Sequence, residues 1–460
     1  MAEKPTYEQL AEQDALLQAR VYDLERENAA LKAENQRPGE TIAGLQQRLE
    51  EVERASHRQA APFRIDDERR KQAPKRPGRK PGHQASWRPV PDQVDEQITV
   101  PLEKCPKCGG PVQGVAPLPP QHIIDIPPVR PHVTRLTTYT GVCPQCGEVA
   151  SRHPIQVSDA GGAAGTHLGA NALGLAAELK HQAGLTIRKT CRVLQWFGLS
   201  ISLGGLAQAL QRMGRRLKPA YDELLPAIRQ SPAIYADETS WWVGKPGYWL
   251  WVFASKQHTY YRIDEGRGQQ VVAAVLGERV QTVLVTDCLA SYDKIEGNKQ
   301  KCYAHHLRAI ADGLKQRPGS LVLTGMQLML KTAQGLQQDQ PLLPTDPALQ
   351  MLYRWRDNLL APTYADPIEE RVANRLRKQQ EHLFTFLTQP GVDATNNQAE
   401  RDLRPAVIAR KVSCGNRTPA GAASWQVVSS LAATCQKQAQ SFANYVASQM
   451  SLTVVAVRSP

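Results

Sequence analysis

Three acidic residues stand where their carboxylates could do chemistry. Asp237 directly follows the apolar run 233–236 in AIYADETSWW, and Asp287 directly follows the β-branched and apolar segment TVLVT, 282–286. Both runs are predicted to be short buried strands that end at a carboxylate. Glu400 lies in TNNQAERDLR, which predicts a helix that is entered through an Asn cap and carries Glu400 in its first or second turn.

Two strands and a helix that each carry an acid are typical of a ribonuclease-H-like site. There the carboxylates hold two divalent ions about 3.5 to 4 Å apart, which activate the attacking oxygen and stabilise the leaving oxygen of a phosphodiester. Oxygen ligands favour Mg²⁺ or Mn²⁺ over zinc. The competing acids are Glu238, Asp293, Glu369, Glu370 and Asp402. Glu238 is predicted to serve structure or a DNA contact, because adjacent strand residues point to opposite faces.

Four of the nine cysteines form two C-x-x-C pairs, Cys105 with Cys108 and Cys143 with Cys146. In a reducing compartment such pairs indicate metal rather than disulfides. Each pair is predicted to lie on a tight turn followed by Gly, and four thiolates suit a tetrahedral structural zinc ion. The alternating segment 133–140 is predicted to form the hairpin between the two turns. A redox pair or unrelated structural thiols are the alternatives.

The first 56 residues predict a leucine-zipper-like coiled coil. A leucine recurs at every seventh position, at Leu10, Leu17, Leu24 and Leu31. Val21 and Asn28 occupy the alternate seam, where a polar residue can set the register. We expect homo-oligomers to form through this segment. An amphipathic helix folded onto the chain's own body is the alternative.

Residues 57–98 are predicted to be an extended basic linker. The part from 57 to 90 contains ten Lys or Arg against three acids, and the Pro and Gly residues of KRPGRKPGHQ forbid a helix there. Arg76, Arg79 and Lys80 are candidate DNA contacts, since such an arm can lie along phosphates or reach into a minor groove. A solvated tether between domains is the alternative interpretation.

Residues 160–230 predict a helical region with a helix-turn-helix pattern. The segments TIRKTCRVLQWFG and LGGLAQALQRMGRRLK are predicted helices joined by the break LSIS, with Ser202 as the N-cap of the second helix. Basic residues follow toward its end, at Arg212, Arg215, Arg216 and Lys218. This pattern favours DNA binding. Two packed helices with a solvated basic face are the alternative.

The pattern beyond residue 230 indicates an α/β domain. After the first acid-bearing strand, further strands are predicted at 248–253 and 259–263, which would complete a meander. A helix is predicted at 268–276, before the second acid-bearing strand. Helical patterns then continue through 303–387.

The formal net charge of +12 over 460 residues favours a polyanionic partner, because clustered Lys and Arg gain affinity by releasing phosphate counterions. Charge alone does not separate nucleic acid from an anionic membrane. No apolar run approaches the length needed to cross a bilayer, and the N-terminal sequence MAEKPTYEQL has no apolar leader segment. We therefore expect a cytoplasmic protein rather than a membrane or secreted one.

The motifs together resemble those of the insertion-sequence-66 family of bacterial DDE transposases. The resemblance rests on ADETSWW around Asp237, VTDCLASYD around Asp287, KCYAHHLRAI, and NNQAERDLR around Glu400. It extends over nearly the whole chain, because the zipper, the basic segment and the four cysteines occur in the family's order. The tail from Ser451, SLTVVAVRSP, departs from the helical ending usual in that family.

The resemblance implies an α/β ribonuclease-H-like catalytic domain with a helical insertion, in which Asp237, Asp287 and Glu400 are the catalytic triad. The expected domains are a coiled coil (1–56), a basic linker (57–98), a small zinc-ribbon-like module (99–150), a helical DNA-binding region (160–230), the catalytic domain (231–415, insertion about 303–390) and a C-terminal helix and tail (416–460).

The implied activity is Mg²⁺- or Mn²⁺-dependent cleavage at insertion-sequence ends, followed by strand transfer into target DNA. Arg401 and Arg404 are candidate phosphate contacts, with a salt bridge to their own helix as the alternative. Cys302 and His305 match a family motif, in which His305 would brace the metal site or a phosphate unless it is a satisfied core histidine.

The implied partners are double-stranded DNA, further copies of the chain and small companion proteins of the same element, in the bacterial cytoplasm and at the nucleoid when bound to DNA. Two other functions remain compatible with the sequence. One is a zinc-containing DNA-binding protein with an inactive nuclease-like body. The other is a stand-alone nuclease or resolvase.

Overall fold

The computed structural model describes residues 24–25, 82, 84, 88–151, 153, 155–156, 166–337 and 340–450. The predicted coiled coil apart from Leu24 and Glu25, the linker residues Arg76, Arg79 and Lys80, and the tail from Ser451 lie outside the described residues. The chain divides into two compact units, Met1–His122 and Ile123–Pro460. Each unit is described by itself.

The second unit contains a two-stranded hairpin and a five-stranded mixed sheet. The strands are β1 (Thr140–Cys143), β2 (Gly147–Ala150), β3 (Ala233–Val243), β4 (Lys245–Ala254), β5 (Thr259–Asp264), β6 (Val283–Thr286) and β7 (Lys299–Lys301). The order across the large sheet is β5-β4-β3-β6-β7. The first three strands pair antiparallel, as the predicted meander requires, while β6 and β7 run parallel to β3.

The prediction that the first strand ends at Asp237 is wrong. β3 continues through Asp237 to Val243, because its antiparallel pairing with β4 extends from Tyr235 opposite Ala254 to Val243 opposite Lys245. Only the parallel pairing of β3 with β6 stops early, at Tyr235. Asp237 therefore lies where β3 loses its neighbour on one side.

Helices cover both faces of the sheet. They are α1 (Ala170–Ala177), α2 (Ile187–Trp196), α3 (Leu203–Arg216), α4 (Lys218–Arg229), α5 (Gln269–Leu276), α6 (Tyr303–Gln316), α7 (Leu321–Gly335), α8 (Pro347–Leu360), α9 (Pro367–Arg377), α10 (Thr385–Thr388), α11 (Asn397–Ser413), α12 (Pro419–Lys437) and α13 (Phe442–Met450). A π-helical turn, Glu178–Gln182, follows α1. The helical patterns predicted for 160–230 and 303–387 are confirmed as separate helices.

The sheet divides the interior into two hydrophobic cores, because alternate strand residues face opposite sides. Ala233 and Tyr235 pack with α6–α9 and α11, whereas Ile234 and Ala236 pack with α1–α5 and α13. Apolar residues of α12 contribute to both cores. The helices of the region 160–230 thus share a core with the sheet.

β7 has a composition that does not predict a strand. Its three residues, Lys299, Gln300 and Lys301, are all buried at the sheet edge, where they pair with Leu284 to Thr286 of β6. Lysine is almost never fully buried unless it is paired, so this strand could not be predicted from its composition. Among the described helices, none has both the length and the apolar character needed to cross a membrane.

Candidate active site

The strand register brings Asp237 and Asp287 to neighbouring positions. Tyr235 of β3 pairs with Val285 of β6 in parallel register, and each aspartate lies two residues beyond its member of this pair. Because side chains alternate along a strand, residues two positions apart share a face. The two carboxylates therefore leave the sheet on the same side, at the ends of adjacent parallel segments.

Asp237 lies in a strongly negative, buried environment. Burial raises its pKa to about 7, and the charge of Glu238 raises it further than those of Asp287 and Glu400 do. The backbone N–H of Glu238 donates to Asp237 Oδ1 at 2.9 Å, which acts in the opposite direction. The charges of Asp287 and Glu400 both act on Asp237, although the oxygens of the three carboxylates do not all lie within 4.8 Å of one another in the described structure.

Asp287 is held by its own backbone and by a buried lysine. Its Oδ1 accepts the backbone N–H of Leu289 at 2.9 Å. The fully buried ammonium of Lys301 donates to the carbonyl oxygen of Asp287 and to Thr286 Oγ1, both at 3.2 Å, and to Asp293 Oδ1 at 3.0 Å. Lys301 therefore holds the backbone of Asp287 in position.

Glu400 is positioned by the first turn of α11 and by the residue that begins this helix. Asn396 occupies the N-cap position, but its side chain does not cap the helix as the sequence predicted. Instead its amide Nδ2 donates to the carbonyl oxygen of Ala236 at 2.8 Å. This hydrogen bond ties the start of α11 to the strand residue directly before Asp237.

All five competing acids are held by cations. The ion pairs are Glu238–Arg267 at 2.9 Å, Asp293–Lys301 at 3.0 Å, Glu369–Arg317 at 3.2 Å, Glu370–Arg377 at 3.0 Å and Asp402–Lys437 at 2.5 Å. By contrast, no ion pair within 4.0 Å joins Asp237, Asp287 or Glu400 to any Lys, Arg or His of the described residues. These three carboxylates therefore have no directly paired countercharge in the described part of the chain.

Glu238 has a structural role in the protein. Its nearly buried carboxylate accepts from Arg267 at 2.9 Å and from the hydroxyl of Tyr292 at 2.8 Å. The guanidinium of Arg267 also lies over the ring of Trp249, 4.3 Å from its centroid. These contacts agree with the expectation that Glu238 serves structure.

Cys302 and His305 of the KCYAHHLRAI motif lie beside Glu400. One ligand atom from each of the three residues falls within 4.8 Å of those of the other two. The Cys302 sulfur accepts the backbone N–H of Asn396 at 3.2 Å. His305 is half-buried, and its Nδ1 has no hydrogen-bond partner among the described residues, so it is not a satisfied core histidine.

Exposed basic residues surround the start of α11. Arg401 and Arg404 are exposed, and within the described residues neither forms an ion pair with a carboxylate. Six residues after Arg404, Arg410 donates to Thr239 Oγ1 at 3.0 Å and to Ser240 Oγ at 2.8 Å, which ties α11 to the far end of β3. Trp242 is 42% exposed there.

The first cysteine pair forms a compact turn. The backbone N–H of Cys105 donates to Gly110 at 2.9 Å and that of Gly109 donates to Cys105 at 2.8 Å, with Gly109 at a φ of 72°. Hydrogen bonds from the backbone of Lys107 and then of Cys108 lower the pKa of the Cys105 thiol. A thiol with a lowered pKa and sulfur-facing amides is suited to binding metal as a thiolate.

The second cysteine pair has the same local design. The backbone of Gln145 and then of Cys146 lowers the pKa of the Cys143 thiol through hydrogen bonds. The hairpin predicted at 133–140 is wrong in position, since β1 and β2 instead pair Cys143 with Gly147 and enclose this cysteine turn. The Cys-Pro-Gln-Cys-Gly turn closes the hairpin because Gly147 adopts a φ of 76°.

The helix-turn-helix pattern has the predicted local form. Ser202 Oγ accepts the backbone N–H of Gly205 at 3.0 Å, which confirms it as the N-cap of α3. Arg212 and Arg215 are exposed on α3. Arg216 instead donates to the carbonyl oxygen of Gln449 at 2.7 Å and so joins α3 to α13.

Several site residues were not predicted from the sequence. Lys301, Asn396, Arg267 and Tyr292 position or surround the acids through the contacts given above. Two of them could have been suspected from the sequence, because Lys301 lies in the same motif as Cys302 and Asn396 lies in the same motif as Glu400. Their roles depend on neighbours that are distant in the chain.

Comparison with known proteins identifies a family that the chain matches. The sequence model of a protein family described as "Transposase IS66 family" matches residues 165–424, a span that contains Asp237, Asp287 and Glu400. An uncharacterized protein of Sinorhizobium fredii, y4qI, is similar to the chain, with 23% identity over 294 residues that cover 56% of this chain and 54% of that protein. The chain thus spans about half the length of the curated relative that it matches.

Proposed function

The chain belongs to the IS66 transposase family, and on that premise we propose that it is a DNA transposase that cleaves insertion-sequence ends and transfers them into target DNA. One observation carries the proposal. Asp237 interacts electrostatically with Asp287 and Glu400, and none of the three forms an ion pair with a cation among the described residues, whereas all five competing acids are paired. A phosphodiester-cleaving site with divalent ions needs unpaired carboxylates of this kind.

The fold supports this proposal. The five-stranded mixed sheet with helices on both faces, and with acids on the central strand, its parallel neighbour and a later helix, suits a ribonuclease-H-like catalytic domain. Helices α6–α9 lie between the second and third acids in the sequence, where the family resemblance implies a helical insertion. We propose the catalytic assignment of the three acids on the same grounds.

The donor set fits Mg²⁺ or Mn²⁺. The pKa of Asp237 is near 7 because the carboxyl is buried and other carboxylates lie nearby. A bound divalent cation would stabilise the ionised carboxylate and lower this pKa. Asp237, Asp287 and Glu400 would hold the ions through oxygen, the donor preferred by these metals. When bound, the ions supply Lewis-acid polarisation of the scissile phosphodiester and activation of the attacking oxygen.

The other residues of the site would keep the carboxylates in place. Lys301 and the backbone N–H of Leu289 fix Asp287, and Asn396 fixes the start of α11 to β3. Rigid positioning matters because small displacements of catalytic groups strongly reduce the rate. Exposed Arg401 and Arg404 would bind DNA phosphates, since arginine forms bidentate contacts with them.

We propose a structural zinc ion held by Cys105, Cys108, Cys143 and Cys146. The proposal rests on the two cysteine turns, each with backbone amides that face its first sulfur. Four thiolates would leave no open position, so the ion would stabilise the fold and not catalyse a reaction. Self-association through residues 1–56 and companion proteins remain further proposals.

The proposed activity can be tested on duplex DNA that carries the terminal inverted repeats of the element. We expect Mg²⁺-dependent cleavage and strand joining by the wild-type chain, and loss of both in Asp287→Ala. Asp312→Asn serves as the matched control, because Asp312 is an exposed acid of α6 that pairs with Lys315 at 3.3 Å. Unchanged joining by Asp287→Ala would exclude the triad.

The same assay separates the alternative functions. Specific binding without cleavage at any divalent metal would identify a DNA-binding protein with an inactive nuclease-like body. Cleavage without joining would identify a stand-alone nuclease or resolvase.

A further inference from the structure

A second group of possible metal ligands includes Glu400, and it adds sulfur and imidazole nitrogen to the carboxylate oxygen. In the described part of the second unit, the only group of three or more Cys, His, Asp or Glu ligand atoms within 4.8 Å of one another is that of Cys302, His305 and Glu400. Cys302 is the N-cap of α6 and His305 lies in its first turn, while Glu400 lies in the first turn of α11. Two helix starts therefore converge on one point.

The sulfur of Cys302 accepts a hydrogen bond from the backbone. The backbone N–H of Asn396 donates to it at 3.2 Å, whereas the N–H of His305 donates to the carbonyl oxygen of Cys302 at 3.2 Å. Cys302 itself is fully buried. Burial raises the pKa of the Cys302 thiol, and the hydrogen bond from Asn396 acts in the opposite direction. A bound cation would favour the thiolate, which is the form of cysteine that binds metals.

The imidazole of His305 adds an unused ligand atom. Its Nδ1 is buried and has no hydrogen-bond partner among the described residues. A buried polar atom of this kind costs free energy unless a partner satisfies it. His305 and Glu400 are only half-buried, so an ion can enter from their side.

We propose that Cys302, His305 and Glu400 form a site for a thiophilic divalent cation such as Zn²⁺. Sulfur and imidazole ligands favour Zn²⁺ over Mg²⁺, which prefers oxygen. Three protein ligands leave one position for water or a phosphate oxygen. Ligand atoms of a tetrahedral zinc site lie about 3.5 Å apart, so binding requires the three side chains to move together from the 4.8 Å within which their ligand atoms lie. The thiol proton of Cys302 passes to solvent on binding.

Occupation of this site withdraws Glu400 from the triad, and this consequence rests on the proposed function. A carboxylate that is bound to Zn²⁺ beside Cys302 and His305 no longer serves the ions at Asp237 and Asp287. The thiophilic ion is therefore an inhibitor of the Mg²⁺-supported reaction. Cys302 and His305 are the residues that make the protein sensitive to it.

Binding is tested with Co²⁺ as a spectroscopic probe on the full chain, in wild type, Cys302→Ser and His305→Gln. Total bound zinc plus cobalt is counted after excess free metal is removed, so the four N-terminal cysteines contribute equally to every protein. We expect one more ion per chain in the wild type than in either variant, with additional thiolate-to-cobalt absorption. Equal metal content and equal spectra in all three proteins overturn the proposal.

Cys435→Ser is the matched control, because Cys435 is also buried but belongs to α12 and to no such cluster in the described residues. This control must retain the wild-type metal count. If Cys302→Ser fails to fold by circular dichroism, His305→Gln decides the question alone. Loss of the extra ion from Cys435→Ser as well would overturn the site assignment.

Inhibition is tested by adding Zn²⁺ to the Mg²⁺-supported cleavage assay and normalising each protein to its own rate without zinc. Removal of a ligand should raise the zinc concentration for half-inhibition about 10-fold or more in Cys302→Ser and His305→Gln. Equal sensitivity in all proteins overturns the inhibitory role. If no protein cleaves DNA, the proposed function fails, and the metal count still decides whether the site exists.

Discussion

The side-chain amide of Asn396 donates to the carbonyl oxygen of Ala236 at 2.8 Å, and this hydrogen bond joins the helix of Glu400 to the strand of Asp237. Asn396 is fully buried, and its backbone N–H donates to the Cys302 sulfur. One residue therefore connects three segments of the site. The positions of the acids depend on such contacts as much as on the acids themselves.

Replacement of Asn396 by Ala is expected to reduce both stability and cleavage. The change leaves the buried carbonyl of Ala236 without its partner, which costs about 1–3 kcal/mol. The free energy of unfolding is measured by urea titration and the rate by cleavage of terminal-repeat DNA. The control is Asn397→Ala, since Asn397 is exposed one residue later. Equal effects of both substitutions would contradict the connecting role of Asn396.

Replacement of Lys301 by Met should misplace Asp287. The buried ammonium binds the Asp287 carbonyl, Thr286 Oγ1 and Asp293, and its loss should destabilise the fold by about 1–3 kcal/mol because Asp293 can still reach solvent. We expect the cleavage rate to fall more than DNA affinity. Lys315→Met is the control, because its exposed surface pair is worth about 0–1 kcal/mol. A normal rate in Lys301→Met would remove Lys301 from the site.

Asp237 should make the metal-free protein less stable as the pH rises. Its pKa is raised from 3.8 to about 7, so between these values the folded state retains a proton that the unfolded state has released. The free energy of unfolding therefore falls as the pH rises through this window, by at most about 4 kcal/mol. Asp237→Asn removes this contribution and should be more stable than wild type near pH 8.

The pH effect of Asp237 is measured by urea unfolding of wild type and Asp237→Asn across the window, with EDTA and with Mg²⁺. Mg²⁺ should stabilise the wild type more at high pH than at low pH, because only the ionised carboxylate binds it. Asp312→Asn provides the comparison for a solvent-exposed acid. Parallel stability curves for wild type and Asp237→Asn would show that the Asp237 carboxyl titrates normally.

The ion pair of Asp402 and Lys437 should be structural. Lys437 binds the Asp402 carboxylate and the carbonyl oxygens of Ser255 and His258, and both side chains are nearly buried. Lys437→Met leaves a buried carboxylate unpaired and should cost about 3–5 kcal/mol. The double variant Asp402→Asn with Lys437→Met should recover much of this loss in urea unfolding. No recovery would mean that the pair does not interact.

Substitution of Cys143 by Ser should remove the zinc ion proposed for the four N-terminal cysteines. Elemental analysis of protein purified without chelator is expected to show one ion fewer per chain than in wild type, because a structural site needs all four thiolates. Cys191→Ser, which changes a half-buried cysteine of α2, should leave the metal content unchanged. An unchanged content in Cys143→Ser would exclude this residue as a ligand.

Local patterns determined much of the fold and the chemistry of the site. Apolar runs located the strands before Asp237 and Asp287, and the N-cap at Ser202 and the cysteine turns were confirmed. These features depend on neighbouring residues, whose side-chain period and turn geometry can be read along the chain. Arg404 is exposed while its neighbour Leu403 is buried, as expected for a helix with one apolar and one polar face.

Long-range pairing was decided only by the tertiary structure. The register of Tyr235 with Val285 sets Asp237 beside Asp287, and β7 is a strand because Lys301 finds partners in β6 and Asp293. The sequence could not show which of the three candidate and five competing acids are paired with a cation, since the paired cation usually comes from a residue that is distant in the chain. Five of them are paired with cations, and Asp237, Asp287 and Glu400 have no ion pair with the residues that the structure describes, because electrostatic pairing is a property of proximity in space and not of sequence.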